Sequence, residues 1–162
     1  MSEKLRLARD NATAHNEASR LYVKLREMLD GMLPLSATIY HVGATAVPGC
    51  LTKGDLDILV RVSPVDFKAA ERILSAQFER NVGSAHTTNF AAYMDPTSKP
   101  ALGIQLTVID GPLDIFLRFT ERLRNDRDLL ERYNALKALH DGKPMEAYRA
   151  AKADFIAEAL AR

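Results

Sequence analysis

The sequence runs to 162 residues, 47% apolar and 27% charged, with a formal net charge of +1. That is enough chain for one well-filled core, and the make-up is that of an ordinary soluble globule. It excludes a general electrostatic attraction to nucleic acid or to a membrane surface, the single cysteine, Cys50, excludes an intrachain disulfide, and no stretch approaches the roughly 18 apolar residues of a membrane span.

The first residues carry no apolar leader, so the expectation is a cytoplasmic protein folded as one domain over 1–162. Residues 2–30 read as one long helix, because Leu5, Ala8, Ala12, Ala18, Leu21, Tyr22, Leu25, Met28 and Leu29 recur at steps of three and four and Gly31 offers a stop. His15 falls on a polar part of that helix and reads as a surface histidine. After Pro34, the β-prone run Thr38 to Val42 predicts a strand.

The next stretch organises the chain. Gly43, Pro48, Gly49 and Gly54 lie between that strand and a second β-rich run, Asp55-Leu56-Asp57-Ile58-Leu59-Val60. Side chains alternate along a strand, so Asp55 and Asp57 point the same way, roughly 6–7 Å apart, while Leu56, Ile58 and Val60 face a core. Two carboxylates on an apolar strand are solvated, paired or metal-bound. Their spacing suits a hard cation such as magnesium. The amides of Gly43 and Ala44, with the Thr45 hydroxyl, are candidates for an anion-binding turn. His41 beside the turn reads either as a half-buried histidine bonded to backbone or as a neighbour of bound phosphates. Lys53 is either a phosphate partner or a charge neighbour of Asp55.

Ser63-Pro64-Val65-Asp66 has the spacing of a helix start, with Phe67, Ala70, Ile73, Leu74 and Phe78 as its apolar face. Residues 81–89 read as a polar loop. Phe90 to Met94 and Leu102 to Ile109 read as partner strands around the Pro96 and Pro100 turn. On the second of these, Gln105 and Thr107 share a face opposite Leu106 and Val108. Asp110 and Asp114 read as a turn residue and a helix-start residue, the other reading being a carboxylate that supplements the Asp55 and Asp57 pair at a metal. Three helices follow, over 113–124, 126–140 and 144–161. On them Tyr133 and Lys137, and Tyr148 and Lys152, are spaced i, i+4. Each pair reads either as a tyrosine at the core edge with its lysine in water or as part of a basic rim near bound phosphates.

Gly43-Ala44 followed by Asp55-x-Asp57 resembles the Gly-Ser and Asp-x-Asp pattern of polymerase-β-like nucleotidyltransferases. The longer string His41-Val-Gly-Ala-Thr-Ala-Val-Pro-Gly49, then Lys53, resembles the signature of the GrpB family in that superfamily. The Tyr133 and Tyr148 segments resemble the C-terminal half of the same family, so the likeness covers about residues 36–62 and 112–161. It implies an α/β (α+β) fold: a nucleotidyltransferase-like small mixed sheet with helices packed on it and C-terminal helices, which the order of elements also suggests. It implies a metal-dependent nucleotidyltransferase moving a nucleoside monophosphate from a nucleoside triphosphate to an acceptor. Asp55 and Asp57 would be the catalytic residues and Mg2+ ligands. His41, Gly43, Ala44, Thr45, Lys53, Lys137 and Lys152 would lie around the nucleotide.

Near-neutral charge favours a small-molecule acceptor over a nucleic acid. Several positions depart from the family pattern. Ala44 replaces a serine, Gly54 a proline, Gln105 and Thr107 stand where histidines are usual, Phe119-Thr120-Glu121 replaces Phe-Arg-Asp, and the chain has no Trp. These departures support an alternative: a catalytically inactive relative that binds a nucleotide, metabolite or protein partner. An Asp-x-Asp phosphatase would carry Thr two residues after the pair, where this chain has Leu59.

Overall fold

A computed structural model describes residues 3–161. Its elements in chain order are α1 (Asn11–Asp30), β1 (Thr38–Val42), β2 (Leu56–Val62), α2 (Phe67–Gln77), β3 (Glu79–Arg80), β4 (Phe90–Asp95), β5 (Leu102–Val108), α3 (Phe116–Asn125), α4 (Arg127–His140) and α5 (Met145–Leu160). The strands form one five-stranded mixed sheet in the order β1-β2-β5-β4-β3. β2 and β5 run parallel at its centre, and the other pairings are antiparallel. The α/β expectation holds, and the parallel pair is the topological detail that local sequence could not supply.

Alternation in β2 sets the two faces of the sheet. Leu56, Ile58, Val60 and Val62 join Ile104, Leu106 and Val108 of β5 in a buried apolar layer under Ala18 and Leu29 of α1 and Phe67, Ala70 and Leu74 of α2. The opposite face carries Asp57, Leu59 and Arg61 on β2. A second cluster lies over it, made by Phe119, Leu123, Leu129, Tyr133 and Ala159 of the C-terminal helices with Val47 and Cys50 of the β1–β2 connection. The cleft described below lies where the polar face of the sheet meets this helical layer.

Residues 2–30 are not one helix. The helix begins at Asn11, where the Asp10 carboxylate caps it by accepting from the Thr13 amide at 3.0 Å. The segment before it is extended and tied to the start of α5: Leu5 N–H donates to Lys143 O, Met145 N–H to Glu3 O and Gly142 N–H to Leu5 O. Leu5 is buried against Met145 and Tyr148. A tertiary partner far along the chain thus overrides the local helical spacing. After Ser63 a short 3-10 turn, Pro64–Asp66, precedes α2, and the Ser63 hydroxyl bonds the Asp66 carboxylate and makes no backbone cap. The four longer strands fall where expected to within a residue or two, with Asp55 just before β2, whereas the two-residue β3, paired with β4, was not expected.

Candidate functional site

Asp57 sits early in β2, opposite Val42 of β1 and opposite Gly103 of β5. Its carboxylate lies between two glycines. A Cβ added to Gly43 would come within 2.6 Å of one carboxylate oxygen, and one added to Gly103 within 3.0 Å of the other. Gly43 also has φ 78° and ψ −169°, a region that only glycine occupies without strain. The turn glycine is therefore required twice, for its backbone and for the room it leaves beside Asp57. Gly103 was not singled out from the sequence, although an isolated glycine inside a strand is the signal of a close approach.

The cleft over this carboxylate has a volume of about 110 Å³. Gly43, Ala44, Asp57, Gln105 and Lys152 provide its polar or backbone edge, and Phe116, Phe119 and Tyr133 are among its apolar walls. Burial pushes the Asp57 carboxyl up to about 6; the Lys152 ammonium opposes that shift, Asp55 adds to it, and Lys53 and Lys137 oppose it. The structure thus brings Gly43, Ala44, Asp57 and Lys152 together. Lys137 lies behind Tyr133, 5% exposed, with its ammonium 4.7 Å from the centre of the Tyr133 ring and 5.9 Å from that of Tyr148. Burial lowers its pKa to about 8. The reading of Lys137 as a solvated lysine is therefore overturned, because Tyr148 of α5 closes over it.

The remaining sequence candidates lie elsewhere. Lys53 and Asp55 pair at 3.2 Å and line a separate shallow groove with Asp10 and Glu17. His41 lies on the α1 face of the sheet, opposite to Asp57. Its ring stacks on Tyr22 at 5.0 Å and its Nε2 bonds Thr45 Oγ1 at 2.9 Å. The buried Thr45 hydroxyl donates to Asp55 O at 3.1 Å. His15 is half-buried and not simply a surface residue, since its Nε2 donates to Cys50 O at 2.8 Å.

Two features of the cleft bear on its chemistry. The Gly43 amide already donates to Thr120 Oγ1 at 3.2 Å, and that hydroxyl donates to Phe116 O at 2.8 Å. One donor of the expected phosphate turn is thus engaged by α3. Gln105 Oε1 is enclosed and has no hydrogen-bond partner, so an acceptor is held in reserve on β5. Arg61, further along the polar face of β2, grips Asp114 through a 2.6 Å Nη2–carboxylate contact and two further bonds from Nε. Asp114 also accepts from the Asp110 amide at 2.8 Å. Asp110 and Asp114 thus fix the loop that leads into α3.

The donor set does not complete a magnesium site. Magnesium takes near-octahedral oxygen ligands, often one or two carboxylates completed by phosphates and water. Here one carboxylate lies in the cleft, Asp55 is engaged with Lys53, and β5 presents the neutral amide of Gln105. No group of three or more His, Cys, Asp or Glu residues with metal-binding placement occurs among the described residues.

A model of the GrpB protein family matches residues 4–162. The chain belongs to the GrpB family. A UPF0157 protein from Vibrio cholerae is 31% identical over 140 residues, which cover 86% of this chain and 74% of that protein. The crystal structure of the conserved protein GrpB from Enterococcus faecalis superposes with a TM-score of 0.69 at 19% identity, covering 88% of this chain and 92% of that one. The Cid1 poly(U) polymerase with magnesium and 3'-dATP bound gives a TM-score of 0.53 at 14% identity, over 80% of this chain and 41% of Cid1. A cytoplasmic RNA terminal U-transferase gives 0.52 at 16%, over 82% of this chain and 38% of that one. This GrpB-family chain therefore has a nucleotidyltransferase-like fold and spans less than half the length of either of those two enzymes. No helix among the described residues is long and apolar enough to cross a membrane.

Proposed function

We propose that this GrpB-family protein binds a nucleotide or another phosphorylated small molecule in the Asp57 cleft, with the Lys152 ammonium supplying positive charge that a metal supplies in a transferase. The observation that carries the reading is the Asp57–Lys152 arrangement. Among the charged groups acting on Asp57, the ammonium of Lys152 has the largest influence, and among the described residues no second acid lines its cleft. Ammonium groups on a cleft wall attract phosphates without any metal. Aromatic walls at Phe116, Phe119 and Tyr133 suit an apolar or planar portion of the ligand.

The metal-dependent transferase is the second reading, with a nucleoside triphosphate as donor and a small-molecule acceptor. Asp55 favours it, being near enough to raise the pKa of Asp57, as does the nucleotidyltransferase-like fold. A third ligand would have to come from the substrate.

Calorimetric titration of the four common nucleoside triphosphates and their monophosphates, each with and without magnesium, separates the two. Metal-independent binding that weakens at least about tenfold in Lys152→Met, through loss of a charge-assisted contact, supports the binding protein. Binding that requires magnesium and is lost in Asp55→Asn, with pyrophosphate released on adding candidate acceptors, moves the assignment to the transferase. Absence of binding to every nucleotide under both conditions overturns the transferase and restricts the binding protein to phosphorylated ligands other than nucleotides; absence of binding to phosphorylated sugars as well overturns both.

A further inference from the structure

On the other side of the Gly43–Ala46 turn, an open groove of about 710 Å³ runs between that turn and the first half of α1. His15, Asn16 and Ser19 of α1, His41 of β1, Thr45 of the turn and Arg124 of α3 line it. Three of these side chains carry or can acquire positive charge, and no carboxylate is among the lining residues. Burial, and after it the charges of Arg124 and His15, hold the His41 pKa down at about 4. Near neutral pH the His41 ring is therefore uncharged, and the positive charge of the groove is centred on Arg124, which no carboxylate among the lining residues offsets and which attracts an anion.

The hydrogen bonds show that the cluster is held in place. Thr45 gives its one hydroxyl proton to Asp55 O, so His41 Nε2–H must be the donor to Thr45 Oγ1. His15 Nε2–H donates to the carbonyl of Cys50. Arg124 donates through Nε to Ala46 O at 3.0 Å. Each basic group therefore uses one nitrogen on a fixed acceptor; the two Nη groups of Arg124 remain as donors for an anion, whereas the Nδ1 of either ring donates only when that ring is protonated. The turn itself is buried at Thr45 and Ala46, so these anchor points are not free to drift.

We propose that this groove is a second ligand site, for a small oxyanion (a phosphate monoester or a carboxylate) held by the Arg124 guanidinium with His15 and His41 beside it. A guanidinium fork matches both groups in geometry and charge. The site does not depend on what binds at Asp57, and it gives His41 and Thr45 a place on the outer side of the turn, away from the cleft.

The test follows the imidazole resonances of His15 and His41 by NMR while inorganic phosphate, and separately acetate, is added to the intact protein. Saturable shifts of both rings are expected, with the apparent affinity reduced at least about tenfold in Arg124→Gln and unchanged in Lys152→Met. Whichever anion binds more tightly identifies the ligand class. Because Arg124 also braces Ala46, His15→Gln serves as a second variant: its amide can still donate to Cys50 O while the titratable ring is gone, and weaker binding is expected. Anion-induced shifts that survive both Arg124→Gln and His15→Gln, or that are lost in Lys152→Met, overturn the proposal. So does the absence of saturable shifts at either ring with both anions.

Discussion

Asp57 is held against its own preference. An ordinary aspartate ionises near 3.8, and burial in the cleft raises this one to about 6. A carboxyl whose pKa is higher in the folded state than in the unfolded chain favours folding only while it stays protonated. That contribution is complete below about pH 4 and is lost as the pH rises through about 6. At neutral pH the ionised Asp57 therefore costs stability, at most about 3 kcal/mol and less once its partial exposure is allowed for. Asp57→Asn is expected to raise the melting temperature at pH 7, to have little effect at pH 4, and to weaken ligand binding. A variant that is less stable at pH 7 would show that Asp57 is a structural ion-pair partner and not a strained functional group. The position was legible because an acid on an apolar strand after a glycine turn needs explaining. Burial of Lys137 was not legible, since a Tyr/Lys pair at i, i+4 looks the same on an exposed helix as on one covered by Tyr148 of α5. The separation of His41 from Asp57 follows from the Val42–Asp57 register, which no local pattern fixes.

Among the elements, α3 has the greatest leverage on the cleft. It supplies Phe116, Phe119 and Thr120 to the walls, and Thr120 holds the Gly43 amide. The loop entering α3 is tied to β2 by Arg61 and Asp114, whose side chains are 20% and 4% exposed. Burial disfavours the Asp114 carboxylate, but hydrogen bonds from Arg61 and the Asp110 amide more than offset this and hold its pKa below 3.8. Arg61→Leu would leave that carboxylate enclosed with one of its partners gone. The expected loss is about 3 kcal/mol, visible as a lower denaturation midpoint, and Arg61→Leu/Asp114→Leu together should recover part of it. A double variant no more stable than Arg61→Leu would mean that the enclosed carboxylate is not the source of the loss. Helix and strand positions were readable here because apolar spacing agrees with the packing over most of the chain. The exception, residues 3–10, fails for an instructive reason. Leu5 and Ala8 fit a helical period, but the backbone there pairs with residues 142–145, and sequence spacing alone does not reveal so distant a partner.

On the scale of the molecule, the sheet separates two different interiors. One face is closed by α1 and α2 over a continuous buried apolar layer. The other meets α3, α4 and α5 through a cluster that includes connection residues Val47 and Cys50 but no strand residue, and this seam contains the cleft. A ligand seated there would touch the central strands and the helical layer together. Its binding energy would therefore add to the cooperativity of the whole chain. A ligand that binds only the folded state adds about 2.7 kcal/mol when present at 100 times its dissociation constant. For a chain of this size that corresponds to a rise in melting temperature of about 5–10 °C. A thermal-shift panel of nucleotides and phosphorylated sugars, without metal, should therefore contain compounds that produce such a rise in the native protein and little in Lys152→Met. Equal rises in both proteins would place the ligand outside the seam. A rise that appears only with magnesium would transfer the charge-balancing role from Lys152 to the metal, and with it the assignment from binding protein to transferase.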